Sequence, residues 1–402
     1  MGLDVAVVGG GPAGLLAAQG LARDGWSVGV YEEHPRLGRP VHCAGLISVE
    51  GLERLGLGGE RGFVLNEIYG VKAYSPSGVS LGFRDRRVRA LAVDRAGLDE
   101  ALGQEALDAG ARLELGVRVR SLRAGKGGPG ILVGESEVHP RLVVDAEGAS
   151  AGLVSRAGLS KGPRGRLKGY NVEVGGEVED EGVVEVWLGS QFSVGLFAWV
   201  IPLGSGLARC GLATRVKGGL EVLRRFVEKR FPGASMGPVE GGLVCTGGPV
   251  DETVFPGVVL VGDVAGQVKA TTGGGVVTGG LCAQVAARVL SHALEAPEPW
   301  KAAMAYEGEW RRLLGGELRA MVGLRRVINT LGDAQLDRFF AAAKEEELAE
   351  RLGGLLSQGD MDLQAGVIGR GLRDPGLLGA LVRVAGRAAV SSLLEALGLT
   401  PG

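Results

Sequence analysis

The chain has 402 residues, of which 45% are hydrophobic and 22% charged, and it carries a formal net charge of -2. That length holds two or three domains around a real core, and the near-neutral balance excludes the basic footprint of a nucleic-acid binder. Cys43, Cys210, Cys245 and Cys282 lie too far apart for a zinc site or a disulfide framework, so no metal is expected and a reducing cytoplasm fits.

No basic segment precedes the first apolar run, so no signal peptide is expected. No apolar run reaches the roughly 18 residues that a membrane span needs. Glycine is over-represented at 73 residues, as tight turns and close backbone approach to a ligand require.

In chain order, Leu3 to His34 (LDVAVVGGGPAGLLAAQGLARDGWSVGVYEEH) reads as strand, turn, helix and strand. The first strand is continuously apolar, as when both faces of a sheet are covered. Gly9, Gly11 and Gly14 form GxGxxG where it meets the helix. Gly9 permits the tight turn, Gly11 lets a pyrophosphate approach, and Gly14 lets helix and strand pack closely. The phosphates then sit on free amides at the positive end of the helix. The second strand, Ser27 to Tyr31, ends at Glu32, 18 residues beyond Gly14. A carboxylate there accepts ribose hydroxyls and disfavours a 2′-phosphate. NAD and FAD both use this unit, so it does not choose between them.

Residues 66–92 and 165–250 alternate in short runs such as VVEVWLG and GLFAWVIPL, which predicts an antiparallel sheet over the nucleotide. Between them, VDRAGLDEAL (Val93 to Leu102) puts Arg95 where a strand gives way to a helix, well placed for a pyrophosphate. Val143 to Gly148 predicts a late strand returning to the nucleotide.

Gly257 to Asp263 (GVVLVGD) predicts another buried strand, ended by an acid, and Thr271 to Leu290 a helix that opens with Gly273, Gly274 and Gly275. An NAD unit has no need of this second strand-to-helix junction. FAD, extended across a doubly wound sheet, does: the first junction holds its ADP half and the second its flavin half. Asp263 suits the ribityl hydroxyls or a phosphate, and the helix start puts amide donors and a positive dipole at the pyrimidine edge of the flavin. From about Glu298 the sequence turns helical, apolar with sparse arginines (Arg325, Arg326, Arg383, Arg387). Two readings of these helices stand: packing on the domain, or a membrane-surface face with arginines at anionic headgroups.

GGGPAG with Glu32, RAGLD and GD together resemble the FAD-dependent oxidoreductases of the aromatic-hydroxylase-like group. RPVHCAGLIS (Arg39 to Ser48) and GDVAGQVKATTGGG are similar to the geranylgeranyl reductase family, in particular the archaeal enzymes that saturate prenyl chains of membrane lipids. The resemblance implies a cysteine loop on the flavin at Cys43, Ala44 and Leu46, and further flavin contacts at Ala13, Glu32, Arg95, Val119, Asp263, Gly275 and Val276. FAWVIP resembles the family's substrate signature and points to Phe197, Trp199 and Pro202, with core packing as the other reading of the aromatic pair. Ala270, Phe197 and Ile201 depart from the family's usual proline, tyrosine and phenylalanine.

The expected fold is therefore α/β: a doubly wound FAD-binding Rossmann-type domain (1–65, 93–164 and 251–297), an antiparallel-sheet substrate domain (66–92 and 165–250) and a C-terminal helical region (298–402). The resemblance implies an FAD-dependent reductase acting on isoprenoid C=C bonds of geranylgeranyl chains in membrane phospholipids or their precursors. It implies an external electron donor (ferredoxin, a deazaflavin or NAD(P)H) and a cytoplasmic protein with peripheral membrane contact. Cys43 is the candidate for proton delivery, for tuning the flavin, or for shaping its loop. A flavin monooxygenase, a quinone-directed electron-transfer dehydrogenase and a non-enzymatic flavoprotein are the competing readings. The first lacks a second nucleotide motif and the second lacks iron–sulfur cysteines.

Overall fold

The computed structural model describes residues 2–59, 62–345 and 348–398. At its centre lies a six-stranded sheet in the order Val254–Phe255, Val258–Leu260, Leu142–Asp145, Val5–Val8, Val28–Glu32 and Arg112–Leu115. Val5–Val8 is flanked on both sides by parallel partners, with Val8 opposite both Tyr31 and Asp145. Only the short edge strand Val254–Phe255 runs antiparallel. Helices cover a parallel sheet on its faces, and accordingly all of Val5–Val8 is buried. The helices Pro12–Arg23 and Val276–Glu295 pack tightly on one face, where a Cβ at Gly20 would come within 2.6 Å of Ala287 Cβ.

Both expected junctions are present, with two changes of boundary: the strand expected to run to Asp263 stops at Leu260, and the helix starts later. The later strand is Val258–Leu260, a single 3-10 turn covers Gly262–Ala265, and the helix starts at Val276 rather than Thr271 and runs to Glu295. Three successive glycines are poor helix formers, and here they close a turn in which Lys269 N donates to Gly274 O and Gly273 N to Lys269 O.

A seven-stranded sheet follows the order Glu240–Cys245, Arg166–Gly175, Leu207–Thr214, Ala198–Gly204, Val183–Trp187, Gly70–Tyr74 and Ser80–Arg84. The antiparallel expectation needs one correction: Val183–Trp187 and Gly70–Tyr74 pair in parallel. The two strands come from distant segments, so no hairpin fixes their relative direction. Val64–Ile68 does not join this sheet; it pairs with Ala90–Val93, which also pairs with Leu46–Ser48.

The long helix Ala305–Asn329 buries Tyr306, Trp310, Leu314, Leu318 and Met321 along one stripe, the spacing of a single helix face. Arg325 continues that stripe. It is 4% exposed and donates to the carbonyls of Ala270, at 2.9 Å, and Thr271. The membrane-face reading is therefore corrected for Arg325, whose partners are carbonyls of the second junction; Arg326, Arg383 and Arg387 are exposed. Among the described residues no helix is long and apolar enough to cross a membrane.

Candidate active site

The first arm of the site is a cavity of about 370 Å³ at the end of Val5–Val8, lined by Gly9, Gly11, Glu32, Val119 and Gly148. Gly9 has φ +100, and a Cβ there would overlap Ala146 O; only glycine fits. A Cβ at Gly11 would meet no described residue within 4 Å, because that side faces the cavity. Gly14 lies outside the wall, and its missing Cβ makes room for Gly9 O, the close packing its place in the motif demands. Glu32 Oε2 accepts from Gly10 N at 2.7 Å, and Oε1 accepts from His34 N at 2.9 Å and His34 Nδ1 at 2.6 Å. The carboxylate thus braces the glycine turn, and Glu32, which also lines the cavity, keeps acceptor capacity beyond these bonds.

A larger cavity of about 690 Å³ shares Gly11, His42, Ala146 and Gly148 with the first, so the two are arms of one space. Ala13, Cys43, Ala44, Leu46, Arg95, Asp263, Gly275 and Val276 all line it. The two junctions interlock at its floor, where a Cβ at Gly262 would lie 2.9 Å from Ala13 Cβ. Asp263 is half-buried against this space, and burial pushes its carboxyl up to about 6, with the Arg95 charge acting in the opposite sense.

Arg95 is 9% exposed, and its Nη2 donates to Asp99 Oδ1 at 2.7 Å and Oδ2 at 3.0 Å. Burial works against its charge, yet the Asp99 carboxylate and the Cys43 thiol hold its pKa above the ordinary value. Its Nε is buried with no partner among the described residues. Arg95 stands in the wall of the larger cavity and is not among the residues that line the smaller one. Cys43 is half-buried, with Sγ accepting from Gly45 N at 3.4 Å, and His42 Nδ1 donates to Gly241 O at 2.6 Å.

Beyond Cys43 the cavity becomes apolar and runs across the seven-stranded sheet, touching Val244, Asn171, Trp199, Val186, Val71 and Phe83 from one edge strand to the other. Six inter-strand steps amount to roughly 29 Å. Trp199 is 8% exposed, donates its indole N–H to Asn171 Oδ1 at 3.1 Å, and lies over Gly211, where a Cβ would come within 2.5 Å of the ring. Phe197 meets it edge-on at 6.1 Å. Pro202 is placed otherwise: strand alternation puts it with Ala198 and Val200 on the opposite face.

Sequence reasoning missed the other wall. Met361, Gln364 and Ile368 close the apolar arm from the C-terminal region. Lys269 Nζ reaches Asp362 Oδ1 at 2.6 Å, Ser48 Oγ donates to Asp362 Oδ2, and Thr271 Oγ1 donates to Gln364 Oε1 at 2.7 Å. Lys269, a lone cation in QVKATTGGG, was the readable signal.

Residues 7–48 match the model of an NAD(P)-binding Rossmann-like domain. Over 362 residues, 87% of this chain and 94% of the relative, the sequence is 32% identical to digeranylgeranylglycerophospholipid reductase 2 of Methanothermobacter thermautotrophicus. It is 30% identical to digeranylgeranylglycerophospholipid reductase of Methanothrix thermoacetophila, over 89% of this chain and 95% of the relative. A geranylgeranyl bacteriochlorophyll reductase-like protein from Thermoplasma acidophilum superimposes with a TM-score of 0.80, at 22% identity and 98% coverage of both chains. The p-nitrophenol 4-monooxygenase of Pseudomonas putida shares the fold with a TM-score of 0.66 at 18% identity, over 94% of this chain and 98% of that one.

Proposed function

Because the chain belongs to the digeranylgeranylglycerophospholipid reductase family, we propose that it is an FAD-dependent reductase that saturates geranylgeranyl C=C bonds in membrane phospholipids or their prenyl precursors. The observation that carries this reading is the two-armed cavity, in which a glycine-walled polar arm meets an apolar arm at Gly11 and His42.

The residues present fit FAD. Glu32 and Gly11 suit the ADP half, the Arg95 charge on the wall of the larger arm suits the pyrophosphate, and Asp263 with the helix opening at Gly275 suits the flavin half. Bound FAD, once reduced by the external donor, would supply hydride to one alkene carbon, and the other carbon must then receive a proton. An isolated alkene is not electron-poor, so the protein must bring both partners together and keep water away. Trp199, Phe197, Ile201 and Met361 hold the chain and exclude water, and the Cys43 thiol, on the wall beside Arg95, is the proton source in this reading.

Electrons come from an external donor: ferredoxin, a deazaflavin or NAD(P)H. The protein works in the cytoplasm and takes its substrate at the membrane surface, with the exposed Arg326 and Arg387 toward the headgroups. The test is spectroscopic. An unsaturated prenyl lipid added to anaerobic, photoreduced protein should reoxidise the flavin, whereas its saturated counterpart should not. Reoxidation only when oxygen is admitted would favour the monooxygenase reading.

A further inference from the structure

Arg209 lies on the strand Leu207–Thr214, opposite Glu173 and Ile201, and is 6% exposed. Its Nη2 donates to Glu173 Oε1 at 2.7 Å. Its Nη1 bonds no carboxylate among the described residues: it donates to Ala44 O at 2.9 Å and to Val93 O at 3.2 Å. Ala44 directly follows Cys43, and Val93 is two residues before Arg95. One guanidinium therefore ties the cysteine loop and the approach to Arg95 to the overlying sheet.

The loop is shaped to accept it. Gly45 has φ +68, and a Cβ there would stand 2.5 Å from Arg209 Nη1 and 2.6 Å from Val93 O. Val93 N donates to Gly45 O at 2.8 Å, which closes the contact from the other side. Any side chain at 45 would push the loop off the guanidinium. The demand is for a planar fork with donors in fixed directions, which arginine has and lysine lacks.

We propose that Arg209, oriented by Glu173, is a positioning residue that sets where the Cys43 thiol and the Arg95 guanidinium stand in the cavity wall. It acts through the Ala44 and Val93 carbonyls and is not itself part of that wall. The inference rests on the reading of the cavity as a flavin site for its consequence, though not for its geometry.

Cys43 provides the readout, because it is half-buried while Cys210, Cys245 and Cys282 are buried. In the flavin-loaded protein, an aromatic disulfide reagent should modify Cys43 about tenfold faster in Arg209→Lys than in the unaltered chain, since bonds to a charged donor hold the loop shut. Glu173→Gln should shift the rate in the same direction by less, and Cys43→Ser should remove the fast phase. The visible spectrum of the bound flavin should change in the first two variants. Lower thermal midpoints with unchanged Cys43 rates and flavin spectra would make Arg209 a structural ion pair only and overturn the proposal. Glu173→Gln, at an exposed side chain, decides the matter if Arg209→Lys does not fold. FAD released on denaturation reports the flavin reading separately: altered Cys43 rates in a protein that holds no FAD would sink that reading and keep the role of Arg209.

Discussion

Gly275 faces Asp263 across the second junction, and a Cβ at position 275 would overlap Asp263 Oδ1. The start of the helix Val276–Glu295 and the acid in the 3-10 turn after the preceding strand are thus in contact, and no side chain fits between them. Gly275→Ala must displace either the carboxylate or the helix end. Losing a hydrogen bond to a charged group costs about 1.5–3 kcal/mol, so Gly275→Ala and Asp263→Ala should both weaken FAD roughly ten- to hundredfold. Flavin fluorescence titration of the stripped protein measures this, and unchanged affinity in both variants would contradict it.

Asp263 also predicts a pH dependence. Its folded-state pKa is raised to about 6 from an ordinary 3.8, first by burial, so folding favours the protonated form. The resulting penalty is absent below the unfolded value and fully developed above the folded one. A shift of this size corresponds to at most about 3 kcal/mol, less because part of the carboxyl faces the cavity. In the flavin-free protein, Asp263→Asn should gain stability over the unaltered chain as pH rises from about 4 to about 7. Parallel thermal midpoints across that window would show that the carboxyl is not held neutral.

The Lys269–Asp362 pair, with side chains 13% and 1% exposed, ties the second junction to the C-terminal cover. Removing one partner of a buried pair leaves an uncompensated charge and costs about 3–5 kcal/mol. Asp362→Ala should therefore destabilise strongly, whereas Lys269→Met with Asp362→Leu should lose far less than the sum of the single changes. Additive losses in chemical denaturation would mean that the two groups do not act as a pair.

The first junction was legible because its demands are local: Gly9, Gly14 and Glu32 meet their structural reasons within one strand–helix–strand unit. The second junction was legible from Asp263 and the glycines, although the turn at Lys269 delayed the helix start to Val276. Arg325 could have been read as inward-facing from the stripe that runs from Tyr306 to Met321, and Pro202 as facing away from the cavity from simple strand alternation. Met361 and Gln364 could not. They meet Lys269 and Thr271 across more than 90 residues of chain, and no periodicity within either segment encodes that contact.

Trp199 predicts how chain length is sensed. A prenyl chain offers little besides CH₂ and CH₃ groups, so affinity accumulates at about 0.8 kcal/mol per buried CH₂. Trp199→Ala opens the middle of the apolar arm and leaves Asn171 Oδ1 without its indole donor. Its KM should rise most for the longest chains and least for short ones. An equal effect on all lengths would place Trp199 in the structural core only.

The central claim is reduction of carbon–carbon double bonds without oxygen, and the mass of the product tests it most directly. Photoreduced protein incubated anaerobically with a geranylgeranyl-bearing lipid should give products heavier in steps of two hydrogens, with none appearing when Trp199 and Cys43 are both replaced. A product carrying an added oxygen atom, or unchanged lipid after full reoxidation of the flavin, would contradict the account.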